Sequence, residues 1–299
     1  LLGAIAYTPR PFPKDERVGT MTATSIGIDF GTTNTVVALA TEDGETRTLR
    51  LPGPDPDSVT HPSVLAFEPA EEQGRQVHCE TGETAIRLAS EHPDDFRYIQ
   101  SLKSHAASPL FQGTVLFGRR RSFGDLMASF LRHSGIVDQV DASGRATRIV
   151  IGRPVQFHGE TPDDGLAVSR YRDALAAIGF RDFHFAYEPV GGALSYFKAM
   201  RSASTVLIAD LGGGTSDFVI ARFDVTRAGV QSRILAHAGI GIAGDAFDNR
   251  IVENALLDKF GAGTTYVLNG KTLPVPRSYF AAFSKWHLLS QLRAPKYLD

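Results

Sequence analysis

Two short stretches of this chain share one layout, and that layout narrows the fold more than any other feature. Residues 206–222, VLIADLGGGTSDFVIAR, read as a strand, a glycine turn and a second strand. Val206, Leu207, Ile208 and Ala209 are apolar and partly β-branched, which suits a strand covered on both faces. Asp210 closes that run, so its carboxylate sits at the strand exit. Gly212, Gly213 and Gly214 follow and let a ligand approach main-chain N–H groups with no Cβ in the way. Thr215 and Ser216 add hydroxyls, and Asp217 adds a second carboxylate. A glycine turn in a plain β-hairpin accounts for this stretch taken alone. A second copy changes the weighing. Residues 25–40, SIGIDFGTTNTVVALA, repeat the pattern, with Asp29 lying 181 residues before Asp210 and Gly31, Thr32, Thr33 and Asn34 in the turn. Two strand–Asp–Gly hairpins in one chain imply two similar subdomains that face each other. Between them, amides take phosphate oxygens and carboxylates take a divalent cation or its waters.

Composition excludes several classes. The chain has 299 residues, 42% of them hydrophobic and 21% charged, which is ordinary for a globular protein with room for two domains. A net charge of −2 gives no reason to expect nucleic acid or a membrane surface as partner. A single cysteine, Cys79, allows no internal disulfide and no metal cluster, which fits a reducing cytoplasm. No apolar run approaches the roughly 20 residues of a membrane span. Residues 1–24 read as a disordered or accessory leader, with Met21 a natural start and no signal peptide.

Three motifs carry a resemblance. IGIDFGTTNT and IADLGGGTSDF resemble the two phosphate motifs of the actin-like ATPase superfamily, and YEPVGGALSYF resembles the motif that joins its halves. Within it the chain resembles the nucleotide-binding domain of DnaK-type chaperones, the heat-shock seventy family, and especially short YegD-like putative chaperones. The resemblance implies an α/β, ribonuclease H-like fold of duplicated mixed sheets flanked by helices, with the second half truncated. Residues 25–200 form the first half, with an inserted subdomain over about 52–140, and 201–299 begin an incomplete second half.

The same resemblance gives roles to single residues. Ser101-Leu102-Lys103 matches a family pattern in which the lysine positions the attacking water near the γ-phosphate; composition alone makes Lys103 a solvated surface residue. Glu188 matches a glutamate that reaches the metal shell, and Pro189 is expected to hold it out of helical geometry at a strand end. Asp29, Glu188 and Asp210 are then expected to hold Mg²⁺, largely through water. Gly31, Thr32, Thr33, Asn34, Gly212, Gly213, Gly214 and Thr215 are expected to bind nucleotide, with Lys103, Glu188, Asp210 and Thr215 serving hydrolysis. Gly244, in a glycine–acid turn before Phe247-Asp248-Asn249, matches a glycine that lies against the nucleotide. A proline equivalent to Pro154 also occurs in the family, but its partner arginine is not evident and no switch role is transferred.

Elsewhere the pattern is ordinary. Residues 46–51 and 64–67 read as strands, 81–90 as a helix, and 123–134 as a core-facing helix stopped at Gly135. Residues 148–157 read as a strand interrupted by Pro154. Thr161 and Pro162 read as the cap and first residue of a helix ending before Gly179. Residues 183–187 and 234–238 read as strands, 191–200 and 245–260 as helices, Asn269-Gly270 as a turn, and 279–292 as a last helix carrying Trp286 and His287. Gly239, Gly241 and Gly244 spell G-x-G-x-x-G, but no acid-ended strand follows the helix, so a dinucleotide site is not expected.

ATP or ADP with Mg²⁺, slow hydrolysis, and unfolded clients or co-chaperones as partners follow from the resemblance; a Walker A sequence is missing. Three other readings stay open. A small-molecule kinase of the same fold needs a catalytic aspartate and a sugar pocket, and a filament-forming protein needs assembly with ATP. A non-enzymatic scaffold binds nucleotide weakly or not at all, since the adenosine-framing pattern and a peptide-binding β domain are not recognisable.

Overall fold

A computed structural model describes residues 23–41, 45–69, 77–143, 148–157, 161–197, 202–226, 229–280 and 283. Strands β1 (Ala23–Phe30), β2 (Asn34–Thr41) and β3 (Thr46–Leu49) are the first described elements, so Ala23 and Thr24 belong to a strand and not to a leader. There follow β4 (His61–Pro62), β5 (Leu65–Pro69), β6 (Val77–Thr81), helix α1 (Gly82–Glu91) and β7 (Arg97–Ile99). A single 3-10 turn, Leu102–His105, carries Lys103. The hairpin β8 (Thr114–Leu116) and β9 (Arg119–Arg121) leads to α2 (Phe123–His133) and α3 (Ile136–Ser143). Next come β10 (Arg148–Arg153), α4 (Asp164–Ala177), β11 (Phe183–Tyr187) and α5 (Glu188–Phe197). The remaining elements are β12 (Ser204–Leu211), β13 (Ser216–Thr226), β14 (Gly229–Ile240), α6 (Gly244–Ile251), β15 (Thr265–Leu268) and β16 (Lys271–Pro274).

The molecule is mixed α/β. Its largest sheet runs β11-β10-β1-β2-β3, with β4 pairing β2; β1, β10 and β11 are parallel neighbours and β2 is antiparallel to β1. Period-two alternation sends Ile26, Ile28 and Phe30 to one face of β1, where each is at most 1% exposed. Phe130 and Leu131 of α2 and Tyr171 and Leu175 of α4 belong to the same core. The ring of Phe30 lies 5.4 Å from that of Phe130 and 6.2 Å from that of Tyr171. Ser122 and Asp125 exchange hydrogen bonds at the start of α2, a capping box that satisfies two orphan N–H groups.

Three boundaries differ from the sequence reading for identifiable reasons. Helix α4 is capped by Asp163, whose Oδ1 accepts from Leu166 N at 2.9 Å, and not by Thr161. Asp163 N donates to Ala107 O at 2.9 Å, which holds that residue extended, while Asp164 is taken by Arg153 and by Phe157 N. Helix α6 keeps α geometry only to Ile251, then passes through a π turn, Val252–Leu256, and a 3-10 turn, Leu257–Phe260. None of its residues is buried, so no packed face enforces one register. Arg148–Arg153 is the whole of β10, because Pro154 has no N–H for the ladder.

The second sheet is antiparallel, β12-β13-β14. Val206 and Ile208 pack with Val219, Ala221, Phe223 and the α5 residues Val190 and Ala193. The opposite face is open among the described residues: Leu207 is 66% and Leu211 63% exposed. Among the described residues the expectation that this strand is covered on both faces is not met, because α5 covers one side. Asn269 and Gly270 form the expected turn between β15 and β16, both at positive φ (51° and 73°), as a two-residue hairpin loop requires. Apart from Tyr279, Phe280 and Phe283, the helix expected over 279–292 lies outside the described residues, with Trp286 and His287. So does all of the leader before Ala23.

Candidate functional site

The two hairpins match position for position. In the first, Asp29 stands opposite Val36 and Gly31 N donates to Asn34 O at 3.0 Å. In the second, Asp210 stands opposite Asp217 and Gly212 N donates to Thr215 O at 2.9 Å. Both turns therefore have the same length, register and closing bond, and each places an aspartate two residues before its first glycine.

The turns also touch. A Cβ on Gly213 would collide with Thr33 Oγ1, and one on Gly214 would lie 3.1 Å from Thr32 Oγ1. Glycine at both positions lets the second turn close on the first. The start of α6 backs the second turn: Gly244 N donates to Gly212 O at 3.0 Å and Asp245 N to Gly213 O at 2.8 Å. Ser216 Oγ donates to Ile242 O at 2.7 Å. Gly244 thus stands behind the turn, and a Cβ there would lie 3.3 Å from Gly212 O.

A cleft of about 370 Å³ opens where the turns meet. The first hairpin lines it with Asp29, Gly31, Thr32, Thr33 and Asn34, and the second with Asp210, Leu211, Gly212, Gly213 and Thr215. Lys103 and Glu188 complete the lining. Of the residues expected to bind nucleotide, hold Mg²⁺ or serve hydrolysis, only Gly214 and Gly244 do not line it, and Ser216 and Asp217 lie outside it as well. Gly239 and Ile240 end β14 in an antiparallel sheet, so the G-x-G-x-x-G run opens no βαβ unit.

Lys103 is 7% exposed and Glu188 12% exposed, so neither is the exposed group that local sequence suggested. Lys103 Nζ donates to Glu188 Oε1 at 2.7 Å and Oε2 at 2.8 Å. Glu188 is the first residue of α5, and Pro189 sits in that helix's first turn, where a missing N–H costs nothing. Gly152 of β10 makes room for the pair: a Cβ there would lie 3.0 Å from Glu188 Cγ and 3.4 Å from Asp29 Oδ1. Sequence reading missed Gly152; its signal was a glycine inside a strand, which marks close approach of another group.

Burial pushes the Glu188 carboxyl up to about 7, against the pull of Lys103, with Asp29 and Asp210 raising it further. Burial also raises Asp210, and the charges of Asp29 and Asp217 add to that. Asp217 is 3% exposed and its Oδ1 has no hydrogen-bond partner. The cleft thus concentrates carboxylates around one ammonium, an arrangement that a divalent cation relieves. No group of three acids, histidines or cysteines among the described residues is close enough to grip a metal directly. The donor set fits a hydrated Mg²⁺, which keeps several waters and takes one or two carboxylates.

Fold and site define a mixed α/β protein with a two-hairpin cleft suited to a phosphate chain and a hydrated cation. The chain is 28% identical over 248 residues to a chaperone protein HscA homolog of Shewanella putrefaciens, a match that covers 77% of this chain and 37% of that protein. It therefore spans well under half of the relative's length. No protein-family model matches the chain. Among the described residues no helix is long and apolar enough to cross a membrane.

Proposed function

We infer that this chain is the nucleotide-binding part of a heat-shock-seventy-type chaperone, binding Mg·ATP between its two hairpins and hydrolysing it slowly. The observation that carries the reading is the pair of equivalent Asp–Gly turns meeting at one cleft beside the Lys103–Glu188 pair. Similarity to a chaperone protein over 77% of the chain supports it. On this reading residues 25–200 and 201–299 belong to the two halves of an actin-like ATPase. Unfolded clients, co-chaperones and a cytoplasmic location are part of the same proposal.

The protein's own groups account for most of the work. Amides of the glycine turns and the hydroxyls of Thr32, Thr33 and Thr215 donate to phosphate oxygens. Asp29, Asp210 and Glu188 would hold a hydrated Mg²⁺, largely through its waters, and the ion would supply positive charge to offset that of the phosphates. An ammonium has three N–H donors; Lys103 directs two at Glu188, and the third serves the γ-phosphate or the attacking water. Catalysis is then positioning and charge neutralisation.

A module that binds nucleotide without turning it over is the second reading, favoured by the grip of Glu188 on Lys103. Single-turnover hydrolysis of ATP separates the two. Lys103→Ala is expected to slow phosphate release by about 10²-fold or more while ADP affinity stays within about threefold. A wild-type chain that binds ATP and releases no phosphate supports the second reading instead.

A further inference from the structure

The segment that presents Lys103 has few bonds of its own. Ser101 enters it in the left-handed region (φ 54°, ψ 31°), buried, with its Oγ lacking a hydrogen-bond partner. The turn closes through Ser104 N (3.1 Å) and Ser104 Oγ (2.5 Å) to Ser101 O, and through Ala106 N to Lys103 O at 3.0 Å. Beyond it the chain makes isolated turns, Ser108 N to His105 O at 3.3 Å and Phe111 N to Ser108 O at 3.2 Å. Leu102, Ala106 and Ala107 pack this segment into the main core, and the backbone from His105 to Phe111 takes a second hold from outside it.

Arg170 of α4 supplies that hold. Its Nη1 shares two N–H protons among the carbonyls of His105 (2.9 Å), Ala106 (2.8 Å) and Ser108 (3.0 Å), and its Nη2 donates to that of Phe111 (2.5 Å). Between His105 and Ser108 the carbonyl it leaves, Ala107 O, is taken by Asp163 N at the cap of the same helix. The guanidinium carbon lies 5.9 Å from the centre of the Phe123 ring, and the His105 ring stacks on Phe111 at 4.8 Å. Four backbone acceptors on one side chain is a task for a planar fork of donors; an ammonium has fewer and cannot span them. Arg170 does not line the cleft.

We propose that Arg170 is a positioning residue for Lys103: by clamping residues 105–111 to α4 it fixes the turn from which Lys103 reaches Glu188. The consequence for hydrolysis rests on the role given to Lys103 above; the clamp itself does not.

The experiment is lysine acylation of the full chain with an acetyl N-hydroxysuccinimide ester, read residue by residue by mass spectrometry, beside thermal melting. Arg170→Ala is expected to raise labelling of Lys103 about tenfold with the exposed Lys259 and Lys271 unchanged, and Arg170→Lys to fall between. Unchanged labelling of Lys103 in a cooperatively melting Arg170→Ala overturns the proposal. Should that variant fail to melt cooperatively, Arg170→Lys decides by the same readout. Single-turnover hydrolysis then separates positioning from general support. Arg170→Ala is expected to slow the wild type about tenfold and to add nothing in a Lys103→Ala background. Equal slowing in both backgrounds overturns the positioning role. Absence of wild-type hydrolysis sinks the ATPase reading and leaves the labelling result to judge the clamp.

Discussion

The two hairpins share a turn but not an environment. Ile26 stands three residues before Asp29, and Leu207 three before Asp210, yet Ile26 is 0% and Leu207 66% exposed. One residue beyond each aspartate, Phe30 is 1% and Leu211 63% exposed. Strand β1 lies inside a six-stranded sheet that shares a core with α2 and α4, whereas β12 is an edge strand packed with α5 on one side. The repeated pattern therefore specifies what the turn offers a ligand. Neighbours decide how much stability the strand contributes. The first hairpin is frame and site at once; the second, among the described residues, is mostly site.

Core truncation gives the largest contrast. Ile26→Ala is expected to cost about 2–5 kcal/mol in urea unfolding, because a fully packed side chain leaves a cavity. Leu207→Ala, at the matching position, is expected to stay within about 0.5 kcal/mol. Equal costs would remove the contrast. Next comes the contact between the turns. Gly213→Ala drives a methyl into Thr33 Oγ1 and is expected to weaken Mg·ADP binding about tenfold or more, whereas Thr32→Ala, its counterpart in the first turn, loses one hydroxyl and about 1 kcal/mol. Unchanged affinity in Gly213→Ala would show that close approach of the turns is not needed.

Two pH effects sharpen the comparison further. The Glu188 carboxyl, raised from 4.5 to about 7, keeps a proton in the folded state that the unfolded chain has released. Its contribution to stability is fully present below about pH 4.5 and is lost as pH rises through about 7. Melting curves in metal-free buffer should show that slope, and Glu188→Gln should flatten it. His61 behaves oppositely. Burial under Phe130 lowers it from 6.5 to about 4, and its Nε2 lies 3.0 Å from Thr81 Oγ1. Its contribution is present above pH 6.5 and is lost as pH falls toward 4; His61→Asn should flatten the acid limb.

The hairpins are legible in the sequence because strand, aspartate and turn lie within a few residues, where spacing alone carries the geometry. Most helices and strands are legible from periodicity and from glycine stops such as Gly135 and Gly179. What depends on distant partners is not. Lys103 and Glu188 lie 85 residues apart, and nothing local distinguishes a buried lysine from a solvated one. Pro189 reads as a helix breaker yet occupies a first turn, and Asp163 displaces Thr161 as a cap because Ala107 O takes its N–H. The open face of β12 escapes the sequence for the same reason: four apolar residues in a row do not say on which side a helix packs.

Calorimetric titration of Mg·ADP into the full chain, Asp29→Ala and Asp210→Ala tests the central claim most directly. The account predicts saturable, magnesium-dependent binding that weakens strongly in each variant, since both hairpins hold one ligand. Binding that survives either substitution unchanged, or no binding by a cooperatively folded wild-type chain, would contradict it.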